Sequence, residues 1–310
     1  MTDHPCKQGE RPESRPVYRG RFAPSPTGDL HFGSMVAAVG SYLDAKANNG
    51  EWIVRIEDVD ITRCTQESAV SILGTLEKFG FEWDGPIVYQ SGRTELYQDY
   101  FDRLKGKGMV YGCSCSRKAL AANPKGIDGA PLYLGRCRNG IASGGSVRSW
   151  RLRVPDAEVG FVDRIQGFQS QQLLRDVGDF VIRRADGLFA YQFAVVVDDI
   201  EQGITDVIRG ADLLDSTPRQ IWLYQCLDQP PPSYAHLPLA VNASHEKLSK
   251  QTKAAPVAGL DPVPLLKTVL SFLGIQLTAE DCSLEEFWKL AISNWDIEKV
   301  YKKHDIESLI

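Results

Sequence analysis

The sequence predicts an α/β protein built on a doubly wound, Rossmann-type parallel sheet. From Val17 to Lys105, short apolar strand-like runs alternate with amphipathic helical stretches, an order that is typical of parallel sheets. The first of these strands also ends in a Pro/Gly turn that leads directly into a helix. Beyond this region, we expect an insertion from Gly112 to about Ser146 and a short helical subdomain at the C-terminal end.

The first half of the sheet domain is assigned to residues 17–111. The predicted strands are Val17–Phe22, Trp52–Ile56 and Ile87–Tyr89, and the predicted helices are Ser34–Ala47, Thr65–Phe79 and Thr94–Lys105. The first helix places Val36, Val39, Tyr42 and Leu43 on one face, and Asn48-Asn49-Gly50 ends it. Residues 1–16 are polar and carry several charges, so we expect a disordered tail there.

The middle of the chain is less regular, and residues 112–175 are assigned to the insertion and its adjoining strands. Strand-like segments follow at Trp150–Val154, Phe161–Phe168, Phe180–Arg184, Leu188–Tyr191, Phe193–Val197 and Thr205–Arg209, with a hairpin turn at Ala185-Asp186-Gly187. Thr217-Pro218 opens a helix that runs through Leu227. The second half of the sheet domain is thus assigned to residues 176–240, and residues 241–310 form the last, mostly helical part.

Composition and charge limit the possible partners. The chain has 310 residues, of which 43% are hydrophobic, and its formal net charge is −5. A nucleic-acid contact must therefore come from a local basic face. No apolar run is long enough for a membrane span and no secretory signal is visible, so we expect no membrane contact. Seven cysteines, an odd number, indicate the reducing cytoplasm and argue against a disulfide framework.

The strongest local motif runs from Arg21 to Ser34, with the sequence RFAPSPTGDLHFGS. A helix that begins after such a turn offers free backbone N–H groups to phosphate, and His31 and Gly33 lie where they could meet a nucleotide. The motif resembles the first signature of class I aminoacyl-tRNA synthetases, His-Ile-Gly-His, and its first half resembles the glutamyl branch in particular. The resemblance implies ATP binding by His31, Gly33 and Ser34.

A second motif, Lys247-Leu248-Ser249-Lys250-Gln251, resembles the Lys-Met-Ser-Lys-Ser signature of the same family. Leu replaces Met, and Gln251 replaces the last Ser. Two lysines in a polar loop suit the charge that develops on departing pyrophosphate. We therefore expect His31, Lys247 and Lys250 to be catalytic, with Lys250 also contacting ATP, and we expect Mg²⁺ to accompany the nucleotide.

The resemblance also implies the residues that bind the amino acid. Arg21 corresponds to the arginine that meets the side-chain carboxylate, and Glu57 to the glutamate that meets the ammonium group. The remaining positions of the pocket are Phe22, Ala23, Pro24, Ser25, Tyr191 and Arg209. Two guanidinium groups favour glutamate over glutamine, which brings no anion to pair with them. Asp58 and Asp60 are interpreted as supporting groups.

Three cysteines, Cys113, Cys115 and Cys137, cluster in the glycine-rich insertion and indicate a structural zinc site. Reduced cysteines without a metal are the alternative. No histidine or fourth cysteine lies nearby in the sequence. By resemblance to truncated glutamyl enzymes, Tyr133 is the fourth ligand, with water as the alternative.

Only about sixty residues follow the lysine motif. The resemblance, which spans roughly Tyr18 to Trp295, is therefore closest to the truncated, stand-alone glutamyl branch. It implies a monomeric enzyme that uses ATP to activate L-glutamate and transfers it to the queuosine base of tRNA(Asp). Two alternatives remain at this point: a glutamyl-tRNA synthetase core that charges a tRNA 3′ end, and a non-catalytic, zinc-bearing RNA-binding module.

Overall fold

The computed structural model describes residues 17–242, 255–277 and 281–307. The predicted tail at residues 1–16 and the motif containing Lys247 and Lys250 lie outside the described residues, so both stay predictions. None of the helices in the described ranges is long and apolar enough to cross a membrane.

The first half of the chain forms the predicted alternation of strands and helices. Its elements are β1 (Arg19–Phe22), α1 (Phe32–Ala47), β2 (Glu51–Ile56), α2 (Gln66–Lys78), β3 (Val88–Tyr89) and α3 (Thr94–Gly106). β1 pairs in parallel with β2, and β2 pairs in parallel with β3. Each strand is thus followed by a helix that crosses back over the sheet, which confirms the doubly wound arrangement.

The second half extends this sheet on the other side of β1. Its elements are α6 (Tyr191–Glu201), β9 (Asp206–Gly210), α7 (Thr217–Cys226) and β10 (Ser233–Leu237). β9 and β10 pair in parallel, and the backbone N–H of Thr205 donates to the carbonyl of Arg19 at 3.0 Å. The strand order is therefore β3-β2-β1-β9-β10. The chain leaves β1 in one direction and returns on its other side, which makes β1 and β9 the switch point of the sheet.

Three predicted strands were wrong. Phe193–Val197 lies inside helix α6, where these residues are all buried. A continuous apolar run fits a buried helix as well as a buried strand, so its composition could not decide between them. Phe161–Phe168 is not one strand, because it contains the end of one strand (Glu158–Asp163), a turn, and the start of the antiparallel strand that follows (Gly167–Gln172). Leu188–Tyr191 makes only an isolated bridge, through Phe189, before Tyr191 begins α6.

The region between the two halves has its own small sheets. It contains β4 (Val110–Cys113), α4 (Arg117–Leu120), β5 (Ser149–Leu152), β6 (Glu158–Asp163), β7 (Gly167–Gln172), α5 (Leu173–Asp176) and β8 (Val181–Arg183). β5 lies between β4 and β8 in an antiparallel sheet, and β6 and β7 form the hairpin. β4 begins two residues before residue 112, and β8 lies after residue 175. This sheet therefore crosses both ends of the region that was assigned to the insertion and its adjoining strands.

The C-terminal part packs against the first half of the sheet domain. α8 (Pro262–Phe272) and α9 (Leu284–Asn294) follow β11 (Leu239–Val241), and β12 (Asp305–Glu307) pairs with β11. Trp288 of α9 packs on Tyr42 and Phe81, and its indole N–H donates to the carbonyl of Phe79 at 3.0 Å. The helical character predicted for this part is confirmed in its described residues, and the packing fixes it to α1 and α2.

Candidate functional site

A cavity of about 600 Å³ opens at the carboxyl ends of β1, β2 and β9, where the strand order reverses. Every predicted amino-acid and nucleotide residue in the described part of the chain lines it. These residues are Arg21, Phe22, Ala23, Pro24, Ser25, His31, Gly33, Ser34, Glu57, Tyr191 and Arg209. The sheet brings them together because β1 ends at Phe22, β2 ends just before Glu57, and β9 carries Arg209 near its end.

Arg21 is held by a buried carboxylate that the sequence analysis missed. Its Nε lies 3.2 Å from Oδ1 of Asp199 and its Nη2 lies 3.4 Å from Oδ2. Arg55 of β2 also donates to Asp199 Oδ1, at 2.7 Å. Burial alone would raise the pKa of Asp199, but the two guanidinium groups hold it below its usual range. The positive charge of Arg21 is therefore offset by the negative charge of Asp199.

Asp198 anchors a second set of buried contacts beside this one. It accepts hydrogen bonds from Gln90 (2.7 Å), Arg93 (2.6 Å) and Tyr97 (2.8 Å). The signal for this network was present in the sequence as two adjacent acids at the end of the apolar run 193–197. Acidic residues that follow such a run are buried only when they are paired.

Arg209 has a different environment from Arg21. Its Nε donates to Nε2 of His236 (3.0 Å), its Nη1 to Gln220 (2.9 Å) and its Nη2 to Thr217 (2.8 Å). All three partners are neutral acceptors, because burial is the largest of the effects that lower the pKa of His236 to about 4. Among the described residues, no carboxylate lies within ion-pair distance of Arg209. Its positive charge thus remains available to an anion in the cavity.

Glu57 supplies a carboxyl group to the same cavity. Its Oε1 lies 3.4 Å from Nη2 of Arg55, and its backbone N–H donates to the carbonyl of Pro24 at 3.0 Å. Burial raises the pKa of Glu57 to about 7, although Arg55 and Arg21 oppose the rise. Burial also raises the pKa of Tyr191 to about 12, so its hydroxyl stays neutral. The cavity therefore presents Arg209, which no described carboxylate contacts at ion-pair distance, together with the titratable carboxyl group of Glu57.

His31 caps the helix that faces the nucleotide side of this cavity. Its Nδ1 accepts a hydrogen bond from the backbone N–H of Ser34 at 3.4 Å, and its Nε2 lies 3.2 Å from the Ser34 hydroxyl. Gly33 and Ser34 line the cavity, so the N-terminal, positive end of the α1 dipole lies at the cavity wall.

The described residues that precede and follow the lysine motif lie beside the same cavity. Leu239 and Ala240, which precede it, line the cavity wall. After the motif, the N–H of Val257 donates to the carbonyl of Leu30 at 3.0 Å, and Pro256 forms a bridge with His31. The described residues on both sides of the motif therefore lie at the edge of the cavity.

The three cysteines form one cluster whose spacing fits a metal ion. The Sγ atoms of Cys113, Cys115 and Cys137 lie within 4.8 Å of one another, and those of Cys115 and Cys137 are 3.8 Å apart. A tetrahedral zinc with Zn–S bonds of about 2.3 Å separates two sulfurs by about 3.8 Å. Burial alone would raise the pKa of Cys137, but hydrogen bonds from Ser114 and Tyr133 lower it to about 6. Cys137 is therefore readily available as a thiolate ligand.

Tyr133 lies beside the cysteine cluster, at a distance from Cys113 that fits a fourth ligand. Its hydroxyl oxygen is 3.5 Å from Sγ of Cys113 and accepts a hydrogen bond from the backbone N–H of Cys137 at 2.8 Å. Tetrahedral Zn–O and Zn–S bonds of about 2.0 and 2.3 Å give an O···S separation of about 3.5 Å. The guanidinium of Arg151 stacks on the Tyr133 ring at 3.8 Å and fixes its orientation.

A second cavity, of about 980 Å³, lies between this cluster and the loop after β2. Six arginines and lysines and two aspartates line it: Arg63, Arg117, Lys118, Arg148, Arg151, Arg184, Asp60 and Asp186. Arg184 is paired with Asp60 at 2.8 Å and with Asp186 at 2.7 Å. The cavity is thus strongly positive in a chain of net charge −5. Arg63 lines both cavities.

Comparison with known proteins gives consistent results for the whole chain. The sequence profile of the family described as "tRNA synthetases class I (E and Q), catalytic domain" matches residues 18–261. The chain is 52% identical to a protein of Aromatoleum aromaticum named Glutamyl-Q tRNA(Asp) synthetase, over 96% of this chain and 94% of that protein. It is 55% identical to a protein of the same name from Dechloromonas aromatica, over 91% and 95% of the two chains.

Solved structures show the same likeness. The crystal structure of a glutamate tRNA ligase from Elizabethkingia meningosepticum, in complex with its amino acid, superposes with a TM-score of 0.77 at 27% sequence identity. The superposition covers 94% of this chain and 67% of that one.

The cysteine cluster generates a prediction about metal content. We expect gently purified protein to contain about one zinc per chain, and Cys113→Ser to lose most of it, because two thiolates and a phenol hold zinc weakly. The measurement is elemental analysis of the purified protein. Cys226→Ser is the matched control, since Cys226 is also buried and free but lies outside the cluster. Equal zinc content in the two variants, or none in the parent chain, would contradict the assignment.

Proposed function

Because the chain belongs to the catalytic-domain family of class I tRNA synthetases for glutamate and glutamine, we propose that it activates L-glutamate with ATP. We further propose that it transfers the glutamyl group to the queuosine base in the anticodon of tRNA(Asp). The observation that carries the proposal is the charge pattern of the first cavity. Arg209 offers a cation that no described carboxylate contacts at ion-pair distance, and Glu57 offers a carboxyl group to the same cavity.

This pattern matches an amino acid with a second carboxylate. In our proposal, the substrate's side-chain carboxylate lies against Arg209 and the free edge of Arg21, while its ammonium group lies against Glu57. An uncharged glutamine side chain would leave the charge of Arg209 buried and unpaired, which costs several kcal/mol. Tyr191 closes the pocket as a neutral hydroxyl between these groups.

The activation step requires charge stabilisation and not a covalent bond to the protein. The glutamate α-carboxylate attacks the α-phosphorus of ATP, a P–O bond forms, and pyrophosphate leaves with the electron pair of the bond that breaks. The N–H groups at the start of α1 lie where they can bind phosphate. Lys247 and Lys250 are assigned to the departing pyrophosphate, because the residues on both sides of their segment contact the cavity edge. Mg²⁺ that arrives with ATP would offset phosphate charge.

The transfer step requires an RNA surface next to the first cavity, and we assign the second cavity to it. A hydroxyl of the queuosine cyclopentene-diol attacks the glutamyl carbonyl, an ester forms, and AMP leaves. Arg117, Lys118 and Arg148 are exposed and, among the described residues, have no ion-pair partner, so they are free to contact backbone phosphates. Arg63, which lines both cavities, marks the route by which a base could reach the adenylate.

Zinc has a structural role in this proposal. Cys115 lines the second cavity, so a metal bound to the cysteine cluster would fix one wall of the RNA surface. Charging of a tRNA 3′ end is the less favoured function, because the relatives that match nearly the whole chain are named for queuosine-bearing tRNA(Asp). A purely RNA-binding module is also less favoured, because it has no need for the cavity lined by Arg21, Glu57 and Arg209.

The activation step can be tested by isotope exchange between pyrophosphate and ATP without tRNA. We expect exchange with glutamate and not with glutamine. In the enzyme without substrate, Glu57 becomes protonated below about pH 7. The kcat/KM for glutamate should therefore fall by up to tenfold per pH unit as the pH drops further. In Glu57→Gln this inflection should be absent. Above pH 7 the KM for glutamate should be raised by about 10²-fold relative to the parent chain, since a charge-assisted contact is lost, and this difference should shrink as the pH falls below 7.

The KM for ATP serves as the internal control, because Glu57 lies on the amino-acid side of the cavity. Efficient exchange with glutamine would contradict the assignment of Arg209 to the substrate's side-chain carboxylate and of Glu57 to its ammonium group. An unchanged pH profile in Glu57→Gln would remove Glu57 from the ammonium site.

The RNA surface can be tested separately. The variant with Arg117→Ala, Lys118→Ala and Arg148→Ala should lower kcat/KM for transfer to tRNA by at least about tenfold. It should also reduce the salt dependence of tRNA binding by about one unit of log–log slope per lost phosphate contact. Pyrophosphate exchange with glutamate should change little, because none of the three residues lines the first cavity.

The matched control removes the same charge elsewhere, with Lys299→Ala, Lys302→Ala and Lys303→Ala in the exposed C-terminal segment. If this control loses as much transfer activity as the test variant, net charge and not the second cavity directs RNA binding.

A further inference from the structure

Arg209 is supported by a buried histidine–aspartate pair that does not line the first cavity. Nδ1 of His236 lies 2.6 Å from Oδ2 of Asp163, and Nε2 of His236 lies 3.0 Å from Nε of Arg209. His236 belongs to β10 and is 0% exposed, and Asp163 ends β6 and is 2% exposed. The three side chains thus form one chain of hydrogen bonds that leads from the β6–β7 hairpin to the cavity wall.

The surroundings of this pair determine where the histidine proton lies. Oδ1 of Asp163 accepts the backbone N–H groups of Ile165 (3.0 Å), Gln166 (2.9 Å) and His236 (3.1 Å). Burial alone would raise the pKa of Asp163, but these bonds and the contact with His236 lower it, so the carboxylate stays ionised. The ring therefore donates its Nδ1–H to Asp163 and presents the lone pair of Nε2 to Arg209, which can only donate.

This arrangement differs from that of the second arginine in the cavity. Arg21 contacts the carboxylate of Asp199 directly, and the two charges offset each other. Between Arg209 and Asp163 a neutral imidazole is interposed, so the guanidinium is oriented while the carboxylate stays one ring away. Gln220 and Thr217 add two further neutral acceptors. The guanidinium plane is fixed on three sides and keeps its charge for a ligand.

We propose that Asp163 and His236 are positioning residues that orient Arg209 through one histidine tautomer and thereby set the affinity for the substrate's side-chain carboxylate. The proposal rests on the proposed function, because it takes Arg209 as the group that meets that carboxylate. It goes beyond that function by assigning glutamate affinity to two residues that do not contact the substrate.

The decisive variant is Asp163→Asn. The asparagine amide can donate to Nδ1 of His236, which moves the ring proton to Nε2 and sets it against the Nε–H of Arg209. We expect the KM for glutamate in pyrophosphate exchange to rise by about 10- to 100-fold, the usual effect of disturbing a group that orients a ligand-binding residue. The KM for ATP should stay within about threefold, since the ATP side of the cavity is unchanged.

Asp179→Asn is the matched control. Asp179 is an equally buried carboxylate, 1% exposed, that accepts from Tyr111 at 2.6 Å and from the N–H of Val154 at 2.8 Å. It should lower thermal stability without changing the KM for glutamate. If both variants raise that KM equally, or if Asp163→Asn raises the KM for glutamate and ATP alike, the pair is merely structural and the proposal fails.

A double-mutant cycle separates tautomer control from packing. His236→Gln keeps an acceptor near the position of Nε2, so it should retain more glutamate affinity than His236→Leu. In the His236→Gln background, Asp163→Asn should cause no further loss, because no ring proton is left to move. An equal loss in both backgrounds would overturn the proposal.

Nitrogen-15 NMR of the wild-type imidazole rings tests the proposal even if the Asp163 variant fails to fold. We expect the Nδ1–H tautomer for His236 at neutral pH, and an Nε2–H ring or an imidazolium would refute it. If wild-type protein shows no glutamate-dependent exchange while NMR finds the expected tautomer, the proposed function fails and not the geometry. Exchange with an unchanged KM in Asp163→Asn refutes the positioning role alone.

Discussion

The buried ion pairs of Asp199 hold together the three elements that form the catalytic end of the sheet. Asp199 comes from α6, and its partners Arg21 and Arg55 come from β1 and β2. All three side chains are almost completely buried, so loss of any one would leave an unpaired charge in the interior. The strand ends that carry Arg21 and Glu57 therefore cannot move apart without exposing or separating these charges. The geometry of the first cavity depends on this constraint.

The two arginines of the cavity show how the same side chain can serve two purposes. Arg21 is neutralised by Asp199 and forms part of the framework. Arg209 is surrounded by neutral acceptors and keeps its charge. A site that neutralised both would bind a carboxylate weakly, and a site that neutralised neither would be costly to fold. Arg21 is thus mainly part of the framework and offers the ligand one free edge, whereas Arg209 keeps its charge for the ligand.

The sequence could predict those parts of the site that adjacent residues encode. The motif from Arg21 to Ser34 indicated a strand, a turn and a helix start, and the structure has β1 ending at Phe22 and α1 capped by His31. The three cysteines indicated a cluster, and their sulfur atoms lie together. Glu57, Tyr191 and Arg209 were assigned to the amino-acid pocket by resemblance to the family, and all three line the first cavity. Their roles stay predictions.

The parts that could not be predicted depend on partners distant in the chain. Arg21 and Asp199 are 178 positions apart, and Asp163 and His236 are 73 apart. The position of Asp199 after an apolar run indicates burial, but nothing local in the sequence identifies its partners or those of Asp163. Helix α6 was mistaken for a strand because its apolar run gives no periodicity when every face is buried. The basic cavity was equally hidden, since its cations come from separate loops while the whole chain is acidic.

The proposed function requires this chain to esterify a modified base in an anticodon and not a tRNA end. Mass analysis of nuclease fragments of tRNA(Asp), after incubation with the protein, ATP and glutamate, distinguishes the two most directly. We expect the queuosine-bearing anticodon fragment to gain the mass of one glutamyl residue, and tRNA(Asp) lacking queuosine to gain none. A glutamyl group on the 3′-terminal adenosine, with an unmodified anticodon fragment, would contradict it.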